Sequence, residues 1–175
     1  MFSSPSTCLS QFNIEPGMIV ADLGFGTGVY TLELSSLVGP SGKVIAVDIQ
    51  KTLVDTLANE CKTQSITNVS VLWDDMDDVN GIAISSESVD RIIVANTLFQ
   101  LDDMQKFATE VKRILKPKGS ALIIDWSESF GGIGPTPQHV VSKERAQEIF
   151  EKVGLFIKKD IKAGEHHYGF IVQSK

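Results

Sequence analysis

Short apolar runs alternate along the chain with longer stretches whose apolar residues recur at helical spacing. The runs have the length of buried strands and are bounded by turn residues such as Pro16-Gly17 and Gly39-Pro-Ser-Gly42. The pattern predicts seven strands, at Met18–Leu23, Lys43–Asp48, Val69–Trp73, Val89–Ala95, Ala121–Trp126, Phe156–Ile161 and Tyr168–Gln173. Because Val89–Ala95 is the most apolar of them, we expect it near the centre of a sheet.

The stretches with helical spacing predict five helices. They cover Ser6–Phe12, Val29–Val38, Lys51–Gln64, Met104–Leu115 and a segment from the N-cap Ser142 to Val153. Gly154 follows the last of them as a C-terminal cap. Gly81–Ser88 and the Gly-, Ser- and Pro-rich stretch Ser127–Pro137 are predicted to be loops.

The order of these elements predicts the α/β class. Strand and helix alternate as far as Trp126, which is typical of a mostly parallel sheet covered by helices on both faces. The last two strands are joined only by Lys162–His167, and so short a connection predicts an antiparallel hairpin. No repeat or linker divides the chain, so we expect one domain over residues 1–175.

Composition restricts the class of protein further. Hydrophobic residues make up 42% of the 175 residues and the mean hydropathy is +0.06, as in a chain that folds around a core. No apolar run approaches the roughly 20 residues of a membrane span, and the N-terminus lacks the features of a secretory signal. The net charge of −6 argues against general binding to nucleic acid. Cys8 and Cys61 lack metal-ligand spacing, which favours free thiols in the cytoplasm.

Three glycines at alternate positions connect the first long strand to its helix. Gly24, Gly26 and Gly28 can take positive φ and let the backbone approach a ligand, while the next helix points its free N–H groups into the same space. Such a turn also occurs as a plain connection, so the glycines alone are a weak signal. Asp48 ends the next strand about 20 residues later, where a carboxylate can bind ribose hydroxyls. Together these features predict a ligand that contains a nucleoside.

The spacing of the glycines distinguishes between two kinds of nucleoside ligand. The dinucleotide fingerprint G-x-G-x-x-G would need a glycine at position 29, where the chain has Val29. The pattern is instead Asp22-x-Gly24-x-Gly26-x-Gly28, which resembles the first motif of the class I S-adenosylmethionine (SAM)-dependent methyltransferases. That family has a Rossmann-like sheet of seven strands with the last one antiparallel, and the resemblance covers essentially the whole chain. It implies SAM as the cofactor.

The resemblance also implies where SAM would be held. The glycine turn, including Phe25, and Asp22 would hold the methionine end, Asp48 the ribose diol, and Ile49 would pack on the adenine. Asp75 would accept from the adenine amine, with Met76 under the ring and Asn96 at the amino-acid part. Each carboxylate has a structural alternative: Asp22 bonded to turn amides, Asp48 capping the next helix, Asp75 in a solvated turn. The register between Asp74 and Asp75 stays open, and for Asp77 and Asp78 the solvated turn is favoured.

The methyl-acceptor site is less clearly marked. By resemblance, Phe99 and Gln100 border it, although Asn96-Thr-Leu-Phe99 departs from the N-P-P-[YF] motif of some amine methyltransferases. Trp126, Phe130 and His139 lie in or beside the loop after the fifth strand, and glycines in that loop would let it move as a lid. His139 and His167 are candidate general bases, with a plain surface or core histidine as the alternative. No residue set predicts a metal site.

These observations favour a cytoplasmic SAM-dependent methyltransferase that acts on a small molecule. The acceptor site would be open or completed by a second subunit, so a homodimer is possible. Two alternatives remain: a non-catalytic module that binds a nucleoside or SAM, and a nicotinamide-dependent oxidoreductase. The missing glycine at Val29 and the absence of a Tyr-x-x-x-Lys pair count against the oxidoreductase.

Overall fold

A computed structural model describes residues 4–77 and 81–175 and shows a seven-stranded sheet. The strands are β1 Ile19–Leu23, β2 Lys43–Asp48, β3 Val69–Trp73, β4 Val89–Ala95, β5 Leu115–Trp126, β6 Phe156–Ile161 and β7 His167–Gln173. Their order is β3-β2-β1-β4-β5-β7-β6. All pairs among β1 to β5 are parallel, and β7 is antiparallel to both β5 and β6. The predicted fold class, including the antiparallel last strand, is confirmed.

In the part of the chain that the structure describes, five α-helices cover the two faces of this sheet. They are α1 Pro5–Leu9, α2 Val29–Val38, α3 Lys51–Thr63, α4 Met104–Ile114 and α5 Lys143–Lys152. The alternation of side chains along β4 shows how they are divided between the faces. Ile92 and Val94 pack in a core with α4 and α5, whereas Ile93, between them in sequence, packs in a core with α1 and α2. The third core, under α3, completes the second face.

Two elements, α1 and β5, differ from the sequence prediction by more than one residue at a boundary. Helix α1 covers Pro5–Leu9 rather than Ser6–Phe12, and Phe12 is buried in the core beyond its end. Strand β5 begins at Leu115, directly after α4, rather than at Ala121. Its pairing with β4 jumps from Leu115 to Ser120, so the intervening residues form an irregularity within the strand. The Pro and Gly there predicted a break, but they only interrupt the strand's register.

The topology places one end of the sheet in position to bind a ligand. The chain runs from β1 outward to β2 and β3, then returns across the sheet to β4 and continues outward to β5. The strand order therefore reverses between β1 and β4, and a crevice opens at the carboxyl ends of these strands. The segments that leave β1, β2, β4 and β5 all begin at this crevice.

Candidate functional site

A cleft of about 390 Å³ occupies this switch point. Its walls are Asp22, Gly24, Phe25, Gly26, Thr27, Val29, Tyr30, Asp48, Ile49, Gln50, Asp75, Met76, Asp77, Ala95, Asn96, Thr97, Phe99, Gln100, Leu101 and Trp126. Of the residues that the sequence predicted at the cofactor, all but Gly28 lie on these walls. Of those predicted at the acceptor, Phe99, Gln100 and Trp126 do.

The glycine turn approaches the cleft with its backbone. Gly24 has a φ of +76°, and a Cβ there would lie 2.5 Å from Oγ1 of Thr97, so the close approach of the β4 end requires glycine. Gly26 has a φ of +56°, and a Cβ there would meet no protein atom within 4 Å, because the position opens onto the cleft. Gly28 lies behind the turn instead, where a Cβ would lie 2.8 Å from Leu57.

Asp22 is a buried carboxylate at the end of β1, 1% exposed. Its Oδ2 accepts a 2.6 Å hydrogen bond from the Thr31 hydroxyl on α2. Burial raises the pKa of Asp22 to about 7, the Thr31 hydrogen bond opposes this, and the negative Asp48 adds to it. The residue therefore changes charge near neutral pH, on the wall of the cleft.

Asp48 joins the glycine turn to the end of β2. Its Oδ2 accepts from the Gly26 amide and its Oδ1 from the Gln50 amide, both at 2.9 Å. The structural alternative for Asp48, capping of the next helix, is therefore partly present, because Asp48 accepts from an amide in the turn that enters α3. A carboxylate has about four acceptor positions, so two hydrogen bonds leave capacity for a ligand that donates two more.

Ile49 follows Asp48 and is 51% exposed at the cleft. Its carbonyl accepts a 2.8 Å hydrogen bond from Nε1 of Trp73 at the end of β3. The indole ring thus holds the loop that carries Ile49. Trp73 was predicted only as a strand residue, because no short motif marks a tryptophan that acts through a neighbouring loop.

Some carboxylates of the acidic turn after β3 line the cleft, and some accept hydrogen bonds from the backbone of neighbouring segments. Asp75 lies on the cleft wall with the buried Met76, whereas Asp74 accepts from the Ala83 amide at 2.7 Å. Asp77 also reaches the cleft, and it accepts from the amides of Asp102 and Asp103 at 3.1 and 3.3 Å. The expectation of a solvated turn at Asp77 is wrong, because its carboxylate joins the turn to the start of α4. Asp78 lies outside the described residues.

The end of β4 supplies the opposite wall. Asn96 has a left-handed backbone, with a φ of +57°, and its Oδ1 is buried without a hydrogen-bond partner among the described residues. Its carbonyl accepts from Nε2 of Gln100 at 2.8 Å. Leu98–Gln100 form a single 3₁₀ turn that places Phe99 and Gln100 on the cleft.

Asp125 holds this turn from β5 and was not predicted. Its Oδ2 accepts from the Leu98 amide and its Oδ1 from the Trp126 amide, both at 2.8 Å. It is 1% exposed, and burial raises its pKa to about 6 against the opposing effect of these amides. One signal was available in the sequence: a carboxylate within the apolar run Ala121–Trp126.

Trp126 lines the cleft and is packed between His167 and the loop after β5. Its ring centroid lies 4.3 Å from that of His167, and a Cβ at Gly134 would lie 2.5 Å from the indole. The loop after β5 therefore packs its backbone on this ring. His167 is buried away from the cleft wall, and burial and the nearby His166 lower its pKa.

Two predicted acceptor residues lie outside the cleft. Phe130 stacks on His166 with ring centroids 3.8 Å apart. His139 bonds through Nδ1 to the Thr136 hydroxyl at 2.7 Å and lines a separate groove of about 390 Å³. That groove shares Phe99 and Leu101 with the cleft. The composition predicted this loop but not its path, along which Gly134 packs on the Trp126 ring.

The cleft's chemistry fits SAM. Asp48 offers acceptors for a diol, the unpartnered Asn96 Oδ1 offers one for an ammonium or hydroxyl donor, and Gly26 opens its backbone to the ligand. Four carboxylates line the cleft, at Asp22, Asp48, Asp75 and Asp77, and they favour a cationic ligand. No three Asp, Glu, His or Cys side chains in the described residues are placed to hold a metal ion. None of the described helices is long and apolar enough to cross a membrane.

Comparison with known proteins agrees with this chemistry. A SAM-dependent methyltransferase from Aquifex aeolicus is 31% identical with a TM-score of 0.90, covering 99% of this chain and 91% of that one. The ubiquinone/menaquinone biosynthesis C-methyltransferase UbiE of Shewanella oneidensis is 28% identical over 87% of this chain. A demethylmenaquinone methyltransferase of Lactococcus lactis is 28% identical over 90% of it. The matched residues span 58% of each of these two curated relatives.

The sheet order and the switch-point cleft define a Rossmann-like fold of the class I SAM-dependent methyltransferase type. A family model described as a methyltransferase domain matches residues 14–162, and the chain belongs to that family. The predicted class and its cofactor, SAM, are thereby confirmed. The family membership counts against the nicotinamide-dependent oxidoreductase.

Proposed function

We propose that this chain transfers the methyl group of SAM to a small-molecule acceptor. The observation that carries the proposal is the convergence on one cleft of the open Gly26 turn and the buried carboxylate of Asp48. The curated relatives are named as methyltransferases of quinone biosynthesis, whose acceptors are small molecules. The net charge of −6 also favours a small molecule over a nucleic acid.

Each wall of the cleft has a proposed role toward the cofactor. Asp48 holds the ribose diol, and Ile49 and Met76 enclose the adenine, with Asp75 at its exocyclic amine. Asp22, the glycine turn with Phe25, and Asn96 hold the methionine end. The placement of Asp75 on the cleft, with Asp74 bonded away from it, supports Asp75 as the adenine partner.

The acceptor would lie against Phe99, Gln100 and Trp126, the predicted acceptor residues on the cleft. The groove beyond Phe99 would receive the more distant part of a longer acceptor, and there His139 would contact it. Phe130, on the loop that covers Trp126, would act through the position of that loop.

Bound SAM supplies an electrophilic methyl group on a good leaving group. The chain's own residues then need to align the acceptor and exclude water. An acceptor that starts protonated also needs a base. His139 lines the groove and would contact the acceptor there, whereas His167 would act only through Trp126, since it lines neither the cleft nor the groove.

We also propose a cytoplasmic protein, one methyltransferase domain over residues 1–175, and a homodimer that completes the acceptor site. The thiol of Cys61 is buried and forms no disulfide, which supports a reducing compartment. Support for the dimer is the open form of the groove, whose His139 and Arg145 side chains are exposed.

Transfer of a labelled methyl group tests the proposed activity. The protein is incubated with methyl-labelled SAM and a panel of quinols, phenols and amines. We expect label in at least one acceptor, and a strong loss of transfer in Asp48→Ala but not in Asp55→Asn, an exposed carboxylate on α3. Tight binding of S-adenosylhomocysteine with no transfer to any acceptor would instead favour the non-catalytic SAM-binding module.

A further inference from the structure

Asp125 connects two strand ends that both form the cleft. Its carboxylate accepts from Leu98, in the turn after β4, and from Trp126, the last residue of β5. The amides of Thr97 and Phe99 also face it and favour its ionised form. Asn96, Thr97, Phe99, Gln100 and Trp126, which all line the cleft, lie on the two segments that this one carboxylate joins.

A carboxylate at this position is costly to bury. Asp125 is 1% exposed, it has no cationic partner among the described residues, and its neighbours along β5 are apolar. An apolar residue would pack in the sheet more favourably but would leave the amide of Leu98 without its acceptor. The carboxylate of Asp125 therefore stabilises the turn after β4 rather than the packing of the core.

We propose that Asp125 is a positioning residue, whose carboxylate holds the Asn96–Gln100 turn through its backbone amides and so fixes the acceptor-facing wall of the cleft. It is a single 3₁₀ turn that follows a left-handed Asn96. Its other anchors are the Asn96 amide on the Ile124 carbonyl, two 3.2 Å hydrogen bonds from the Thr97 hydroxyl to the carbonyls of Leu23 and Ala95, the Gln100 side chain on the Asn96 carbonyl and the buried Leu98 side chain. Asp125 adds the acceptor for the Leu98 amide and ties the turn to the end of β5. The geometric part of the proposal stands by itself; its effect on the acceptor rests on the proposed function.

This arrangement makes the wall sensitive to pH. The ionised carboxylate accepts amide hydrogen bonds better than the protonated acid, and burial raises the pKa of Asp125 to about 6. The titratable group that faces it is Tyr168 on β7, with Glu144 on α5 beyond; burial and the two carboxylates raise the pKa of Tyr168, so the phenol stays neutral here. The wall should therefore loosen as the pH falls through about 6.

Global unfolding would not explain such loosening. Because the pKa of Asp125 is higher in the folded protein than the ordinary value of 3.8, the fold binds its proton more tightly than the unfolded chain does. Between pH 6 and about 4, protonation of this group therefore adds to the free energy of unfolding. Loss of the turn's geometry in that window would occur in a protein that this group makes more stable.

The direct test follows the Leu98 amide by ¹H–¹⁵N NMR in the wild-type protein between pH 7.5 and 5. We expect its proton shift to move upfield with an apparent pKa near 6, as the charge-assisted hydrogen bond weakens. In Asp125→Asn the shift should already be upfield and should not titrate. Asp90→Asn is the control, because Asp90 also accepts from a backbone amide, that of Ile19, at the opposite end of the sheet, where it pairs with Lys116. Equal Leu98 shifts in the wild type and in Asp125→Asn at pH 7.5 overturn the proposal.

The second arm measures function in Asp125→Asn. We expect kcat/KM for the acceptor to fall at least tenfold, with S-adenosylhomocysteine affinity changed less than threefold, while Asp90→Asn leaves both unchanged. Equal loss in both variants would mean a merely structural role and would overturn the proposal. If the wild type binds no S-adenosylhomocysteine, the proposed function fails, while the NMR titration still decides whether Asp125 holds the turn.

Discussion

Three buried carboxylates, at Asp22, Asp48 and Asp125, lie at or next to the carboxyl ends of β1, β2 and β5, and each has different partners. Asp22 accepts from a hydroxyl, Asp48 from two amides on one side of the cleft, and Asp125 from two amides on the other. Burial raises the pKa of Asp22 and of Asp125. Asp48 and Asp125 thus accept hydrogen bonds from backbone amides, and the raised pKa values let Asp22 and Asp125 change charge near neutral pH.

Asp48→Asn should weaken binding of S-adenosylhomocysteine. The amide keeps the shape of the side chain but loses the charge and half of its acceptor capacity. We expect a cost of roughly 1.5–3 kcal/mol, the usual range for a hydrogen bond to a charged group. Calorimetric titration measures it, with Asp55→Asn as the control. Unchanged affinity in a folded Asp48→Asn protein would remove Asp48 from the ligand site.

Asp22 should make the preference for SAM over S-adenosylhomocysteine depend on pH. SAM carries one more positive charge, and Asp22 becomes negative as the pH rises through about 7. The ratio of the two affinities should therefore shift toward SAM between pH 6 and 8, and Asp22→Asn should flatten that dependence. Titrations of both ligands across this range measure it, and an identical slope in wild type and variant contradicts the assignment.

At the scale of elements, the cleft depends on turns that pack against one another. Gly24 approaches Thr97, and the glycine loop after β5 lies against Trp126, with Gly131, Gly132 and Gly134 all at positive φ. The loop's tip is a tight turn in which Phe130 pairs with Ile133. The loop therefore lies against a cleft-wall residue, and its movement as a lid stays a prediction.

Gly134→Ala should displace this loop from Trp126. The added Cβ would lie 2.5 Å from the indole, so the ring or the loop must move. Gly131→Ala is a matched control, since it adds similar strain at positive φ but meets no atom within 4 Å. Measured in a Trp73→Phe background, where Trp126 is the only tryptophan left, emission should shift in Gly134→Ala. Equal spectra in the two variants would contradict the packing.

Patterns of local sequence predicted the elements well and their contacts poorly. The apolar runs located all seven strands, and the spacing of Gly24, Gly26 and Asp48 located residues that do line one cleft. The contacts that the sequence did not predict join segments far apart along the chain. Asp77 accepts from the start of α4, Asp125 accepts from the turn after β4, and the loop after β5 brings His139 to the same groove as Phe99. No period or motif encodes such a contact, so only the folded chain reveals them.

At the scale of the whole molecule, the sheet's strand order explains why the site lies where it does. The reversal between β1 and β4 opens the crevice, and the family to which the chain belongs uses this fold for SAM-dependent methyl transfer. The fold alone does not select the acceptor. We propose that the acceptor is selected by Phe99, Gln100 and Trp126, which line the cleft.

The central claim is that the switch-point cleft binds SAM. The measurement that tests it most directly is a calorimetric titration of the purified, ligand-free protein with S-adenosylhomocysteine, with NAD as a parallel control. We predict one site per chain with micromolar affinity for S-adenosylhomocysteine and no heat of binding for NAD. Absence of S-adenosylhomocysteine binding to a protein shown to be folded, or equal binding of NAD, would contradict this account.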